Sequence, residues 1–341
     1  MELQPHTLQL LVRGDFSEQK CGFRLSAEEK TLVETEGNLL VLARSGTGKT
    51  NVLLERALWR ETRARELLDE GVAQIFITAS PRLSTSLKEM FDSRFSSSSS
   101  SSSSSGILEF WKIIIALHAS AFGRECEFAT SNFHSFWRTF DDKLTRKFSE
   151  QLVRSEIVST IKGRRETLEN REPWLSRETY VEIVRQSRRA DELSEADALS
   201  VYRLFEAYEK AKRGALDTND VAHKLFRHFF RDDDDDDNNR PSLPEKYDFV
   251  YVDEVQDLTP VQLALLRVLA KDTKVGLSFA GDSAQTISGV STFRFEALKD
   301  LFYHVFFAAT DDGFSRRQKS ARAQDVDQRL QNALSNPRAR E

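Results

Sequence analysis

The sequence predicts an α/β protein built on a doubly wound parallel sheet, with a helical unit inserted between two strands. Four short apolar runs, at 38–43, 74–78, 249–252 and 275–280, are separated by helix-forming segments. Buried parallel strands are continuous apolar runs because helices cover both faces of the sheet. Strands that alternate with helices in this way are typical of βαβ units. A weaker strand is predicted at 127–130.

The segment 138–245 differs from the strand-bearing parts of the chain. Up to about residue 230 it is rich in charge, and its apolar residues recur at helical spacing, as Val201, Leu204, Phe205 and Tyr208 do. We therefore expect a helical insertion between two parts of the sheet domain, at 25–137 and 246–308. Residues 1–24 are expected to form an N-terminal extension, and the polar residues 309–341 a tail that is helical or disordered.

Two low-complexity tracts interrupt the chain, a serine run at 96–105 and an acidic tract at 232–239. Neither tract has enough apolar surface to order itself, so both are predicted to be solvated loops. The acidic tract has an alternative interpretation, since six consecutive carboxylates could imitate nucleic-acid phosphates and close a binding groove.

Composition and charge bound the class of protein. The 341 residues carry a net charge of −5, but six acidic residues lie in one run, so the rest of the chain is close to neutral. The two cysteines match no metal or disulfide framework, no apolar run is as long as a membrane span, and no secretory signal is visible. We expect an intracellular protein, nuclear or cytoplasmic, with no membrane partner.

A phosphate-binding loop is predicted directly after the first strand, where Gly46, Gly48, Lys49 and Thr50 precede a helix-forming stretch. Glycines let backbone N–H groups curl around a phosphate, and the helix N-terminus adds a positive dipole. Lys49 would reach the β- and γ-phosphate oxygens of ATP, and the Thr50 hydroxyl would bind Mg²⁺. The residues predicted to contact the nucleotide are Ala43, Arg44, Ser45, Gly46, Thr47, Gly48, Lys49, Thr50 and Asn51.

Ala43 stands where the usual eight-residue pattern of this loop begins with glycine. Alanine is small, so the loop should accept it unless that position requires a positive φ angle.

A pair of carboxylates follows the strand at 249–252. Asp253 is predicted to hold Mg²⁺ and Glu254 to act as general base on the attacking water. A third motif after the next strand, from Gly281 to Ile287, places Gln285 where its side chain could hydrogen-bond the γ-phosphate. Phosphoryl transfer requires mainly positioning and charge neutralisation, which Lys49, Glu254 and Gln285 could supply as catalytic residues.

These three motifs together resemble motifs I, II and III of the UvrD/Rep-type superfamily 1 helicases. The pairing of Asp-Glu-x-Gln-Asp with Gly-Asp-x-x-Gln is specific to that group. The segment from Gln285 to Phe295 is also similar to the UvrD-like domains of TPR-and-ankyrin-repeat proteins and their fungal relatives. Glu29 lies where the family has a glutamine that contacts adenine, which puts adenine selectivity in question.

The resemblance implies a RecA-like ATP-binding domain (1A) that carries an inserted helical subdomain (1B). It also implies contacts with single-stranded DNA or RNA through a segment at Ser80 and through Phe133, His134 and Ser135. Nothing after Phe307 resembles motifs IV to VI of a second RecA-like domain. A missing second domain or a protein partner is therefore expected.

Some of these residues have a purely structural alternative. Phe136 and Trp137 could stack on bases or belong to the core where the two subdomains meet. Basic clusters at 162–165 and 185–189 could follow phosphates or form solvated helix faces. Two functions remain open: an ATP-driven helicase on single strands, and an ATP-binding interaction module with little turnover.

Overall fold

The computed structural model describes residues 25–68, 71–95, 106–123, 133–140, 143–186, 193–230, 246–282 and 295–307. Five strands form one sheet: β1 (Leu39–Ala43), β2 (Gln74–Thr78), β3 (Gly106–Glu109), β4 (Phe249–Val252) and β5 (Leu277–Asp282). Their order is β1-β5-β4-β2-β3, and every neighbouring pair is parallel. The predicted α/β class with a parallel sheet is confirmed.

Strand register brings the carboxyl ends of β1, β5 and β4 to the same edge of the sheet. Ala43 lies opposite Asp282, and Val252 lies opposite Phe279. Since β5 lies between β1 and β4, the segments that follow β1 and β4 lie on either side of the end of β5. This topology places the phosphate loop beside the carboxylate pair.

Helices cover both faces of the sheet, because alternate residues of each strand point to opposite sides. On β4, Val250 and Val252 belong to one apolar cluster, and Phe249 and Tyr251 to the other. The face of Tyr251 is covered by α1 (Ala27–Glu34), α2 (Lys49–Leu68) and α3 (Pro81–Phe95). The opposite face is covered by α4 (Phe110–Phe122), α10 (Thr218–Phe230), α11 (Pro260–Ala264), a 3-10 turn (Leu265–Val268) and α12 (Phe295–Leu301), which continues as a π-helix (Phe302–Phe307).

A third cluster has no strand in it. It is formed by α5 (Phe133–Thr139), α7 (Glu150–Ser155), a π-helix (Glu156–Ile161), α8 (Arg177–Gln186) and α9 (Glu195–Lys212), and the short helix α6 (Lys143–Lys147) contributes a packed leucine. The 3-10 turn (Arg165–Glu169), which lies between the π-helix and α8, packs with the sheet cluster, and so does α10, which follows α9. The helical unit thus has its own core, and the exact domain boundaries remain predictions.

The strands differ from expectation at two points. β3 lies directly after the serine run and is not among the predicted strands, because a four-residue edge strand that is only partly buried has a weak apolar signal. β5 begins at Leu277, later than predicted, because a turn precedes it in which the Gly276 N–H bonds to the Asp272 carbonyl at 3.0 Å. The strand predicted at 127–130, both low-complexity tracts, both cysteines, residues 1–24 and the tail from 309 lie outside the described residues.

Candidate functional site

The predicted phosphate loop connects β1 to the N-terminus of α2. Gly46 and Gly48 have φ angles of +76° and +88°, which side chains rarely adopt, so glycine is required at both positions. The Arg44 carbonyl organises the loop: it accepts bonds from the Thr47 hydroxyl at 2.7 Å and from the Lys49 ammonium group at 3.1 Å. A turn built this way presents backbone N–H groups and a cation at the start of a helix, which is an anion-binding arrangement.

The position of Ala43 does not require the glycine found there in the usual pattern. It is the last residue of β1, paired in register with Asp282, and its backbone is that of a regular strand. The first residue with positive φ in this segment is Gly46. The loop therefore accepts alanine without backbone strain.

The Thr50 hydroxyl joins the loop to the carboxylate pair. It donates to Asp253 Oδ2 at 2.6 Å, while Asp253 Oδ1 accepts the backbone N–H of Glu254 at 3.1 Å. Asp253 is 1% exposed, and Lys49 is 6% exposed. Hydroxyl and carboxylate oxygens are the ligands that Mg²⁺ prefers, so the donor set at Thr50 and Asp253 fits that ion.

The electrostatics of Asp253 follow from its burial. Burial raises the pKa of Asp253 above its ordinary value, and the nearby charge of Glu254 raises it further, against the opposing effects of the Thr50 hydrogen bond and the Lys49 charge. A buried carboxylate with a raised pKa is costly to keep ionised. A divalent cation at this position would relieve that cost.

Glu254 has a left-handed backbone, with φ 54° and ψ 50°. Only one other non-glycine residue in the described parts of the chain, Arg213, has a positive φ. This conformation costs about 1–3 kcal/mol and tends to occur at functional sites. It turns the chain sharply after β4 into a 3-10 turn (Val255–Asp257), so that the Asp257 N–H bonds to the Glu254 carbonyl at 2.9 Å.

The sequence analysis assigned no role to two further buried residues, Gln256 at this edge and Arg56 near the amino-terminal ends of β1 and β5. The Gln256 side chain contacts both Glu254 and the backbone of Asp282. Arg56, on α2, donates to the carbonyls of Val33 at 3.1 Å and Gly37 at 2.7 Å. The spacing of Asp-Glu-x-Gln-Asp singles out Gln256 as part of a motif, but an arginine on an amphipathic helix gives no signal that it will be buried.

The residues expected to contact nucleic acid lie in two places. Ser80 follows β2, and its hydroxyl accepts the Leu83 N–H at 3.4 Å at the start of α3. His134 is exposed on α5 and pairs through Nδ1 with Glu150 at 2.9 Å, and Ser135 is also exposed. Phe133 is only 6% exposed and packs against Tyr208 with ring centroids 5.2 Å apart, so its ring is a core residue in this structure.

The same core contains Phe136, which is 7% exposed, with Trp137 packed beside it. Both residues therefore pack in the core of the helical unit, whereas the structural alternative placed them where two subdomains meet. Gln285, the residue expected to contact the γ-phosphate, lies outside the described residues, as does everything from 283 to 294.

Comparison with known proteins decides the family. The sequence model of the family described as UvrD/REP helicase N-terminal domain matches residues 25–295 of this chain. The chain belongs to this family. UvrD/REP proteins are superfamily 1 ATP-dependent helicases, and the match extends from the start of α1 through all five strands to the start of α12.

Individual relatives in this comparison are distant. The Bacillus subtilis protein named "Putative ATP-dependent DNA helicase YjcD" is 26% identical over 271 residues, which is 76% of this chain and 32% of that protein. Human TPR and ankyrin repeat-containing protein 1 is 30% identical over 160 residues, 46% of this chain and 5% of that protein. An ATP-dependent helicase/nuclease of Lactiplantibacillus plantarum is 30% identical over 91 residues, 27% of this chain and 7% of that protein.

The chain thus spans a third or less of the length of each of these relatives. The resemblance to UvrD-like helicases and to the human TPR and ankyrin repeat protein is confirmed. Among the helices in the described residues, none combines the length and apolarity that crossing a membrane requires.

Proposed function

We propose that this UvrD/REP N-terminal domain binds ATP with Mg²⁺ and hydrolyses it while it engages single-stranded DNA or RNA. The observation that carries the proposal is the 2.6 Å contact between Thr50 and Asp253, which brings the phosphate loop against the carboxylate pair. A glycine turn and an acidic strand end are each common alone. Their direct contact through the two residues suited to Mg²⁺ is not expected of unrelated surface features.

Each residue has a defined task in the proposed reaction. Glu254 accepts a proton from water as the water oxygen attacks the γ-phosphorus. The bond from this phosphorus to the β–γ bridging oxygen then breaks, and its electron pair stays on ADP. Lys49 and the N–H groups of the loop stabilise negative charge on the β- and γ-phosphate oxygens. Gln285 is assigned to the γ-phosphate by its place in motif III.

Thr50 and Asp253 would hold Mg²⁺, directly or through a water molecule. When bound, the ion neutralises phosphate charge and orients the β- and γ-phosphates. Because Asp253 already accepts the hydroxyl of Thr50, both ligands lie on one side of the site before nucleotide enters.

For the nucleic acid we propose contacts at Ser80, His134 and Ser135. Ser80 caps α3 at the edge of the sheet that carries the ATP site, and His134 and Ser135 are exposed on α5. Phe133 is not included, because stacking on a base needs an exposed ring face.

A second candidate function is an ATP-binding interaction module with little turnover. The observation that favours it is the match to human TPR and ankyrin repeat-containing protein 1, because TPR and ankyrin repeats present extended binding surfaces. This function would keep the nucleotide site and would not require stimulation by nucleic acid.

ATP hydrolysis separates the two functions. The wild-type chain should hydrolyse ATP in a Mg²⁺-dependent reaction that single-stranded DNA or RNA accelerates, and Glu254→Gln should lower the rate about 100-fold or more while ATP still binds. Lys49→Ala should abolish ATP binding, whereas Lys30→Ala, on the exposed face of α1, should not. Saturable ATP binding without turnover would reject hydrolysis by this domain alone and favour the interaction module.

A further inference from the structure

The Gln256 side chain joins Glu254 to the end of β5. Its Nε2 donates to Glu254 Oε2, and its Oε1 accepts the backbone N–H of Asp282 at 3.0 Å. Gln256 is only 9% exposed and Asp282 is 4% exposed. A buried amide with both ends bonded connects the segment after β4 to the last residue of β5.

The two partners determine which way the Gln256 amide faces. A backbone N–H can only donate, so the Gln256 atom next to Asp282 must be the oxygen. The NH₂ group is then directed at Glu254, whose carboxylate can only accept when it is ionised. Exchange of the amide's O and N would place donor against donor and acceptor against acceptor, so the orientation follows from chemistry.

Gly281 allows this close approach. A Cβ atom on Gly281 would lie 2.7 Å from Val255 Cγ1 and 3.2 Å from Gln256 Oε1. Glycine is therefore required at position 281 because a side chain would not fit. Backbone conformation is not the reason, since Gly281 does not have a positive φ angle. Two independent features, the missing side chain at Gly281 and the left-handed turn at Glu254, bring Gln256 against β5.

We propose that Gln256 is the residue that positions Glu254 for catalysis. Gln256 is fixed by its bond to the end of β5 and holds Oε2 of the Glu254 carboxylate. The other oxygen, Oε1, is then presented to the attacking water. A carboxylate on a strained turn would otherwise sample several rotamers, and small misplacements of a catalytic group reduce the rate strongly. This proposal rests on the proposed function, because it takes Glu254 to be the general base.

A double-mutant cycle on the full chain tests the proposal. Gln256→Met keeps the volume of the side chain and removes both hydrogen bonds. It should lower kcat about 10- to 100-fold and change the KM for ATP less than about twofold. Added to Glu254→Gln, it should lower kcat no further. If Gln256→Met lowered kcat in the Glu254→Gln background by as much as it does in the wild type, the proposal would be overturned.

The matched control is Gln262→Met, which makes the same substitution at a buried glutamine six positions later. Gln262 caps the start of α11 through the Thr259 N–H at 2.9 Å, and its amide nitrogen donates to Thr218, away from the carboxylate pair. The substitution should lower the stability of the chain but leave kcat per folded molecule unchanged. A loss of kcat as large as that of Gln256→Met would assign the effect to general loosening and reject a positioning role.

A second measurement does not depend on turnover. Hydrogen exchange at the Asp282 amide, followed by NMR, should be about tenfold faster in Gln256→Met than in the wild type. Glu254→Ala should also speed it, because the carboxylate holds the Gln256 amide in place, whereas Glu254→Gln retains an acceptor and should not. Unchanged exchange at Asp282 in Gln256→Met and Glu254→Ala would overturn the proposal even if the chain hydrolyses no ATP. A chain without turnover that shows the predicted exchange would instead reject only hydrolysis by this domain.

Discussion

The ammonium group of Lys162 lies 2.6 Å from the carboxylate of Asp217, and this contact joins the helical unit to the segment that leads into α10. Lys162 is 1% exposed and also lies within 2.8 Å of Glu209 and 2.5 Å of Asp220. Lys212 contacts the same three carboxylates. These three acidic side chains are close enough to bind a metal ion, but the two lysines already supply their positive charge.

Lys162→Met should destabilise the chain, because it leaves three carboxylates against one ammonium group. Burial by itself raises the pKa of Asp217, but the charges of Lys162 and Lys212 outweigh it and lower the pKa to about 2. Because the pKa of Asp217 is lower in the folded chain than the unfolded value of 3.8, its ionised carboxylate stabilises the folded chain at pH values above 3.8. This stabilisation is lost as pH falls toward about 2. The substitution should cost about 3–5 kcal/mol at pH 7 and less at pH values well below 3.8, measured by urea unfolding.

Lys210→Met is the control for this variant, since Lys210 lies on the exposed side of α9, the helix that also carries Lys212. It should change the free energy of unfolding by less than about 0.5 kcal/mol. Equal effects of the two substitutions would show that the buried charge cluster does not stabilise the contact between the helical unit and the segment that leads into α10.

Asp253→Asn should stabilise the chain in the absence of nucleotide and metal. Asparagine removes a buried charge and keeps an oxygen that accepts the Thr50 hydroxyl, at the cost of the weaker bond from the Glu254 N–H, which an NH₂ group cannot accept. Burial and Glu254 raise the pKa of Asp253 in the folded chain. The protonated side chain therefore contributes stability below the unfolded pKa of 3.8, and this stability is lost as pH rises through the folded pKa. We therefore expect a gain of about 0.5–2 kcal/mol at pH 7.5 that shrinks toward pH 4, measured by urea unfolding in EDTA.

The same variant should lose Mg²⁺-dependent ATP binding, measured by calorimetry. A stable Asp253→Asn variant that still binds ATP with Mg²⁺ as the wild type does would contradict the assignment of Asp253 to the metal. A loss of stability at pH 7.5 would contradict the electrostatic account of its burial.

Gly281→Ala should lower stability by about 1–3 kcal/mol, because the new Cβ lies 2.7 Å from Val255 Cγ1 and the turn after β4 must shift. Gly106→Ala, at the start of β3, meets nothing within 4 Å and should be nearly neutral. Thermal unfolding of the two variants side by side measures the difference. Similar melting temperatures would show that the turn after β4 does not need to approach β5 so closely.

Arg56→Met should destabilise α1 and the loop before β1. The Arg56 guanidinium is fully buried and donates to the carbonyls of Leu32 and Val33, near the C-terminus of α1, and to that of Gly37. Loss of these bonds removes the Arg56 donor from the carbonyls of Leu32 and Val33, while Gly37 still accepts from Arg60 at 3.1 Å, at a total cost of about 3 kcal/mol. Arg63→Met, at a half-buried position of α2, should cost less than about 1 kcal/mol. Hydrogen exchange in α1 should accelerate in the first variant only.

Much of the sheet was predictable, because its strands are buried on both faces. The run at 249–252 is apolar throughout and the run at 74–78 is apolar at its three central residues, and the structure has β4 and β2 at these residues. β3 is a partly exposed edge strand, so its four residues lack that signal. The contacts of Phe133 and Arg56 depend on which helices meet, and a helical pattern does not specify its packing partner.

The sequence by itself determined the kind of site. Gly46, Gly48, Lys49 and Thr50 after one strand, and Asp253 and Glu254 after another, specify phosphate and metal chemistry because few other residues serve it. Only the tertiary structure decided that Thr50 and Asp253 touch, since that contact depends on β5 lying between β1 and β4. It also decided that Gln256 is bonded at both ends, because hydrogen bonds between residues distant in the chain form only once the strands have paired in register.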